Sequence, residues 1–321
     1  MRLPGRRTLG LAASLVCSAP VARAQGMPPY ISMNPILTSR SGVYFQPYVD
    51  RAPGTRVRIL LDYASSVEFA QNPPAELILD AELLRLDLTV SHDVGARHFV
   101  AASAGFNGAY DGFLDGPLNW YHRVTGLRVA AREVLPKNQF NYLLVLPDGR
   151  RFRRSPASGF LGDVRLIGGW RHTRHWQTVL AVTLPTGTGP GGYTRGTISA
   201  SAVTTARAAL DRRWTYEGSA GIGLTPRHGE LTDYQRTVFA SLSSGLRWRF
   251  SGQQAAFINL FYQSPNYHDT ELHALNDREM TLDYGFLLRA RKGPEWFLGM
   301  TEDIEPNGPA IDLSFRIGAR W

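Results

Sequence analysis

The chain has 321 residues, a formal net charge of +8 and one cysteine. Half of that charge lies in residues 1–24, a stretch with the marks of a cleavable signal, and the remaining +4 gives no case for a nucleic-acid partner; a lone cysteine excludes a disulfide framework. No stretch beyond the N-terminus approaches the roughly 18 apolar residues of a spanning helix.

Residues 1–24 read as a secretory signal. Arg2, Arg6 and Arg7 precede an apolar run from Leu9 to Val21, and Ala22-Arg23-Ala24 forms a small-x-small cleavage site before Gln25. The run is too short for a membrane anchor. Val16 is larger than the residue a lipoprotein signal places before its cysteine, here Cys17. Paired arginines such as Arg6-Arg7 are frequent in ordinary signals as well as twin-arginine ones. Cleavage after Ala24 removes four arginines and the cysteine and halves the net charge.

Residues 25–55 are polar and proline-rich and read as a periplasmic approach segment. From residue 56 to 321, segments of about ten residues alternate apolar with polar side chains, the period of a strand with one apolar face. Fourteen strands are predicted, over 57–64, 83–93, 97–106, 139–146, 150–155, 161–171, 175–184, 197–207, 213–224, 235–250, 254–264, 280–290, 295–303 and 310–321. Twelve is the fallback if 150–155 and 197–207, the poorest, are misread. In "IDLSFRIGARW" (311–321), Ile311, Leu313, Phe315, Ile317, Ala319 and Trp321 form one row, and Asp312, Ser314, Arg316, Gly318 and Arg320 the other.

Short connections ("VGA", "PDG", "HTR", "ALDRR", "SGQ", "RKGP") alternate with mostly long ones ("PTGTGPGGYTRG", "PNYHDTELHALNDRE"). Such alternation marks an outer-membrane barrel with tight periplasmic turns and long external loops. Trp170, Trp176, Trp214, Trp248, Trp296 and Trp321 all fall at the short-turn end, as membrane-interface anchors would. The fold expected is therefore all-β, a transmembrane antiparallel β-barrel with one short helix in a long loop. Its partners are the lipid bilayer and, through the alternating C-terminal strand ending in Trp321, the outer-membrane insertion machinery.

The blocks "LDAELLRLDL" (79–88), "DGFLDGPLNWYHRVTGL" (111–127), "SGFLGDVRL" (158–166), "LPTGTG" (184–189), "YQSPNY" (262–267) and "TEDIEPNGPAIDLSF" (301–315) resemble a family of bacterial outer-membrane barrels catalogued only as a domain of unknown function. The resemblance implies an outer-membrane barrel and brings no catalytic residues with it.

For chemistry, the inward rows carry Arg58, Arg85, Arg165, Arg171, Arg247, Arg249, Arg289, Arg316 and Arg320 against Asp62, Asp87, Asp163, Glu217, Asp283 and Asp312. These line either an aqueous passage with mild anion preference or a closed interior of paired charges. "GFLDGPLNWYHRVTGL" has helical rhythm, and Phe113, Leu114, Asp115, Trp120 and His122 are candidates for a loop or plug at the mouth. His268, Asp269 and His273 share a loop but match no metal-ligand spacing, and no nucleophile motif appears. No metal, cofactor or catalytic residue is expected. The reading is an outer-membrane pore for an unidentified small solute; the alternatives are an outer-membrane lipid-modifying enzyme or a structural barrel without an open pore.

Overall fold

The computed structural model describes residues 26–40, 45–51, 54–126, 129–290, 292–305, 308–309 and 311–321, with the backbone alone at residue 130. The signal stretch 1–24 lies outside the described residues.

Twelve antiparallel strands close into a barrel: β1 (Thr55–Asn72), β2 (Ala75–Val94), β3 (His98–Tyr110), β7 (Arg165–Arg171), β8 (Trp176–Thr183), β9 (Ser199–Ala209), β10 (Trp214–Leu224), β11 (Val238–Arg249), β12 (Gln254–Gln263), β13 (Glu279–Arg289), β14 (Glu295–Asp303) and β15 (Leu313–Arg320). Each stave pairs with its chain neighbour, except that β3 meets β7, and the seam is closed by β1 against β15 over Arg58↔Arg320 to Ser65↔Leu313. No helix among the described residues is long and apolar enough to cross a membrane. The crossing elements are strands, whose backbone groups are satisfied only when the sheet closes.

The count corrects the fourteen predicted strands to twelve staves, but not by the route the fallback assumed. Residues 199–209 are a true stave. Of the fourteen predicted strands, the two outside the barrel are β4 (Asn141–Val145) and β5 (Arg151–Arg154), which extend the upper part of β2. Alternation records one apolar face without saying what covers it. Tyr142, Leu144 and Leu146 face a protein core with Leu77, Leu79, Phe160, Tyr193, Tyr267 and Ile36, not lipid. At four or five residues, β4 and β5 are also too short to span. β6 (Ala157–Leu161) continues the line of β7 along β3 after a break at 162–164, where Gly162 N donates to Gly105 O at 2.8 Å.

The staves sort cleanly into two rows. On β11, Phe239, Ser241 and Ser243 are buried while Val238, Leu242 and Trp248 are exposed. Trp170, Trp176, Trp214, Trp248 and Trp296 are all exposed at the end of the short turns, and Trp214 stacks on Trp248 with ring centroids 5.9 Å apart. Those turns carry their own chemistry. Gly95 sits at φ 72°, and Asp211 accepts from the backbone N–H of Arg213 and Trp214, which holds its carboxyl below the usual range.

Candidate functional site: the lumen and its plug

Twelve staves enclose more space than their own side chains fill, since eight-stranded barrels are just filled and sixteen-stranded ones hold an aqueous channel. Here the remainder is taken by the N-terminal segment. Its described residues, 26–40 and 45–51, run up the lumen and back, with Tyr30 and Phe45 exchanging backbone hydrogen bonds at 3.2 Å. This corrects the periplasmic approach segment of the sequence reading, for the described residues 26–40 and 45–51 are inside the barrel. Met27, Tyr30 and Phe45 are buried with Leu60, Phe257, Phe261 and Phe297 from the wall.

An irregular backbone without water must find hydrogen-bond partners elsewhere, and the inward charges supply them. Arg320 donates to Gly26 O at 2.6 Å and Arg316 to Pro29 O at 2.6 Å. Arg85 donates to Ile31 O and Ser32 O at 2.8 and 2.9 Å. At the loop end, α1 (Pro35–Thr38) is capped by Asn34 Oδ1, and Tyr267 donates its hydroxyl to Ile36 O at 3.0 Å. Arg40 holds the carbonyls of Pro226, Thr225 and Arg236, and burial lowers its guanidinium to about 10, still charged at neutral pH. On the way down, Tyr48 N donates to Glu217, Val49 N to Gln177, and Arg171 donates to Val49 O at 2.6 Å. Asp50 ends the descent in a two-pronged pair with Arg207 at 2.6 and 2.8 Å.

At mid-barrel the charges pair with each other. Asp62 takes Arg85 at 2.6 Å and Arg316 at 2.9 Å, and Arg316 also reaches Asp283 at 2.7 Å. Buried charge is tolerated when it is matched and hydrogen-bonded like this.

Nearer the turns, Arg289 bonds Glu295 at 3.1 Å, Arg247 donates to Thr215 Oγ1 at 3.3 Å, and Arg249 is exposed against Arg212 O. Asp163 stands at the mouth, accepting from Gly187 N and Arg195 N, so it anchors a loop. Asp312 does not face the lumen. It pairs with Arg132 at 2.6 Å and His122 at 3.3 Å beneath the helices of the 107–138 connection. Sequence reasoning missed Glu68, Gln177, Glu279 and Glu295, which hold the plug or its arginines from the same inward rows. Their positions beside outward apolar residues, such as Glu295 next to Trp296, were the available signal.

The plug candidates of the sequence are placed elsewhere. Phe113, Leu114, Asp115, Trp120 and His122 belong to α2 (Asp115–Thr125) and its approach, which with α3 (Ala130–Val134) lies on the outer wall. Leu114 and Leu118 pack on Leu313, Tyr63 and Met300, all on outward rows, and Phe113 stacks on Tyr63. The helical rhythm is real, but an apolar stripe does not say which side of a wall it covers. His268 bonds Asp269 and His273 faces Asp277, so the loop histidines do not converge, and no group of three potential metal ligands occurs among the described residues.

Two cavities remain beside the plug, both against β2, β3 and β7. One opens toward the loops and is lined by Ile31, Arg85, Asp87, Asn107, Arg165 and Arg195. The other opens toward the turns and is lined by Tyr48, Arg58, Thr89, Phe99, Ile167 and Arg320. A hydrogen-bonded layer joins their linings, with Asp87 in the first and Arg58 and Thr89 in the second. Arg58 donates to Thr89 Oγ1 at 2.9 Å, Thr89 donates to Asp87 at 2.9 Å, and Ser103 donates to Asp87 at 3.1 Å.

The profile of the family described as "Protein of unknown function (DUF3187)" matches residues 58–321. No curated protein matches in sequence. Among solved structures, the chain is similar to the COG4313 outer membrane channel from Pseudomonas putida F1, at 11% identity and a TM-score of 0.55, covering 84% of this chain and 96% of that one. It also aligns with the NanC porin (6%, 0.45, 83% and 98%) and the Ralstonia pickettii toluene transporter TbuX (8%, 0.41, 84% and 90%). The first likeness shows a shared fold, that of an outer-membrane β-barrel.

Proposed function

Given that the chain belongs to the DUF3187 family, whose description brings no activity with it, we propose that it is an outer-membrane channel for small solutes with its own N-terminal segment as a resident plug. Export through a signal in residues 1–24 and insertion by the C-terminal strand are part of this reading. The observation that carries it is the pair of cavities along β2, β3 and β7 whose linings, Asp87 of one and Arg58 and Thr89 of the other, are joined in the Arg58–Thr89–Asp87–Ser103 hydrogen-bonded layer. A structural barrel has no need of two openings that meet at one polar layer. Four hydroxyl and charged groups, none tied into the apolar core, form a constriction that rotamer changes can open.

The test is blockage from within. In a chain beginning at Gln25, which lacks Cys17, Ser103→Cys puts the one thiol at the constriction. A small methanethiosulfonate reagent should then lower single-channel current in planar bilayers. Unaltered current after confirmed labelling contradicts a path through this layer.

A further inference from the structure

We propose that α2 lies in the outer leaflet and completes the lipid-facing band of the barrel, with Phe113, Trp120 and Val124 in contact with acyl chains. The lipid-facing band is about 25 Å tall. On β11 the outward row runs ten residues from Trp248 to Val238, about 33 Å of strand, which at a tilt of about 40° spans that height. Leu242, six residues above the rim tryptophan, is 56% exposed.

The opposite wall does not reach as high. Six residues above Trp321 stands Phe315, exposed, but six above Trp296 stands Glu302 on the outward row of β14. Ser65 on β1 and Glu82 on β2 also face outward around this level or above it. At the depth where β11 shows leucine to the bilayer, this side would show it carboxylates and hydroxyls, which hydrocarbon does not accept.

The helices cover these groups. Tyr121 donates its hydroxyl to Glu302 at 3.3 Å, Arg132 donates to Ser65 Oγ and Asp115 at 2.6 Å, and Glu82 accepts from the backbone N–H of Leu114. The far side of α2 presents large apolar side chains, with Arg123 and Thr125 exposed at its C-terminal end. Trp120 and Val124, four residues apart on one face of α2, are 62% and 65% exposed, and Phe113 just before the helix is 66% exposed. Arg123 is exposed beside Val124, where its long side chain can reach the headgroups. Phe113 stacks on Tyr63, whose Cα partner is the exposed Phe315, so the helix face is continuous with the barrel's own band. That continuity identifies the occupant as lipid. Trp120, the tryptophan absent from the turn-end belt, becomes an interfacial anchor of the opposite leaflet.

Nitroxide labels at Phe113→Cys, Trp120→Cys and Val124→Cys, each in the cysteine-free chain reconstituted in phosphatidylcholine vesicles, read this directly. Expected is preferential collision with oxygen over a water-soluble nickel chelate, matching Leu242→Cys and opposite to Asp211→Cys in a turn. Water-like accessibility at all three α2 sites with Leu242→Cys in lipid overturns the placement of the helix alone. Shielding from both reagents that is relieved by diluting the protein in lipid overturns it in favour of a second copy as the occupant. Water-like accessibility at Leu242→Cys as well overturns the membrane reading with it.

Discussion

Arg316 Nε lies 2.9 Å from Asp62 Oδ1 across the seam where the last strand meets the first, and the same guanidinium reaches Asp283 two strands away and Pro29 O in the plug. One side chain thus joins barrel closure to plug seating. Arg316→Met leaves two buried carboxylates with their shared cation gone and only Arg85 on Asp62. Breaking a buried pair in this way costs about 3–5 kcal/mol. Urea titration in lipid vesicles checks it, and a loss under about 1 kcal/mol contradicts the mid-barrel lattice.

Depth along the outward row of β11 is tested by two arginines. Leu242→Arg, near mid-membrane, should cost about 2–4 kcal/mol, whereas Val238→Arg at the loop-side edge should cost about 0–1 kcal/mol. Both residues are exposed on the same row, so only depth separates them. Equal losses in the same titration contradict the register.

Arg40 clasps the tip of the plug to the loops through three carbonyls. Each such bond to a charged group is worth about 1.5–3 kcal/mol, part of which water returns at a loop. Arg40→Ala should therefore raise the opening of the 26–51 segment ten-fold or more while the barrel itself stays folded. Protease cleavage within 26–51, measured on folded protein in detergent, is the readout; wild-type cleavage rates contradict the clasp.

Trp321 N donates to Val57 O at 2.9 Å, ending the seam at the aromatic belt. Trp321→Asp should lower outer-membrane yield and the heat-modifiable form on gels. Normal yield and migration show that assembly does not depend on this residue.

The class of fold was legible because a barrel repeats one simple pattern. Rows such as Leu313, Phe315 and Ile317 against Ser314 and Arg316 state it twelve times, and the short turns with their tryptophans give direction. What escaped is whatever alternation and helical rhythm leave ambiguous. Tyr142 and Leu144 alternate like a stave but face a protein core. Leu114 and Leu118 form a helix stripe, yet the wall they cover is the outer one. The plug was illegible for a different reason. Met27, Tyr30, Ile36 and Phe45 are surrounded on all sides, so no period marks them. Their partners, Arg85, Arg316 and Arg320, looked in sequence like the lining of an open passage, because an inward arginine that holds a carbonyl and one that meets water occupy the same row.

The central claim is that the N-terminal segment, through its described residues 26–40 and 45–51, occupies the lumen and restricts passage through it. Single-channel conductance in planar bilayers, compared between the intact exported chain and one lacking 26–51, tests it most directly. The deletion removes the acceptors of Arg85, Arg171, Arg316 and Arg320 and frees the space they close. The account predicts a conductance several-fold above that of the intact chain, with preference for anions from the exposed arginines. A deletion protein that folds, shown by heat-modifiable migration, and conducts no better than the intact chain contradicts it.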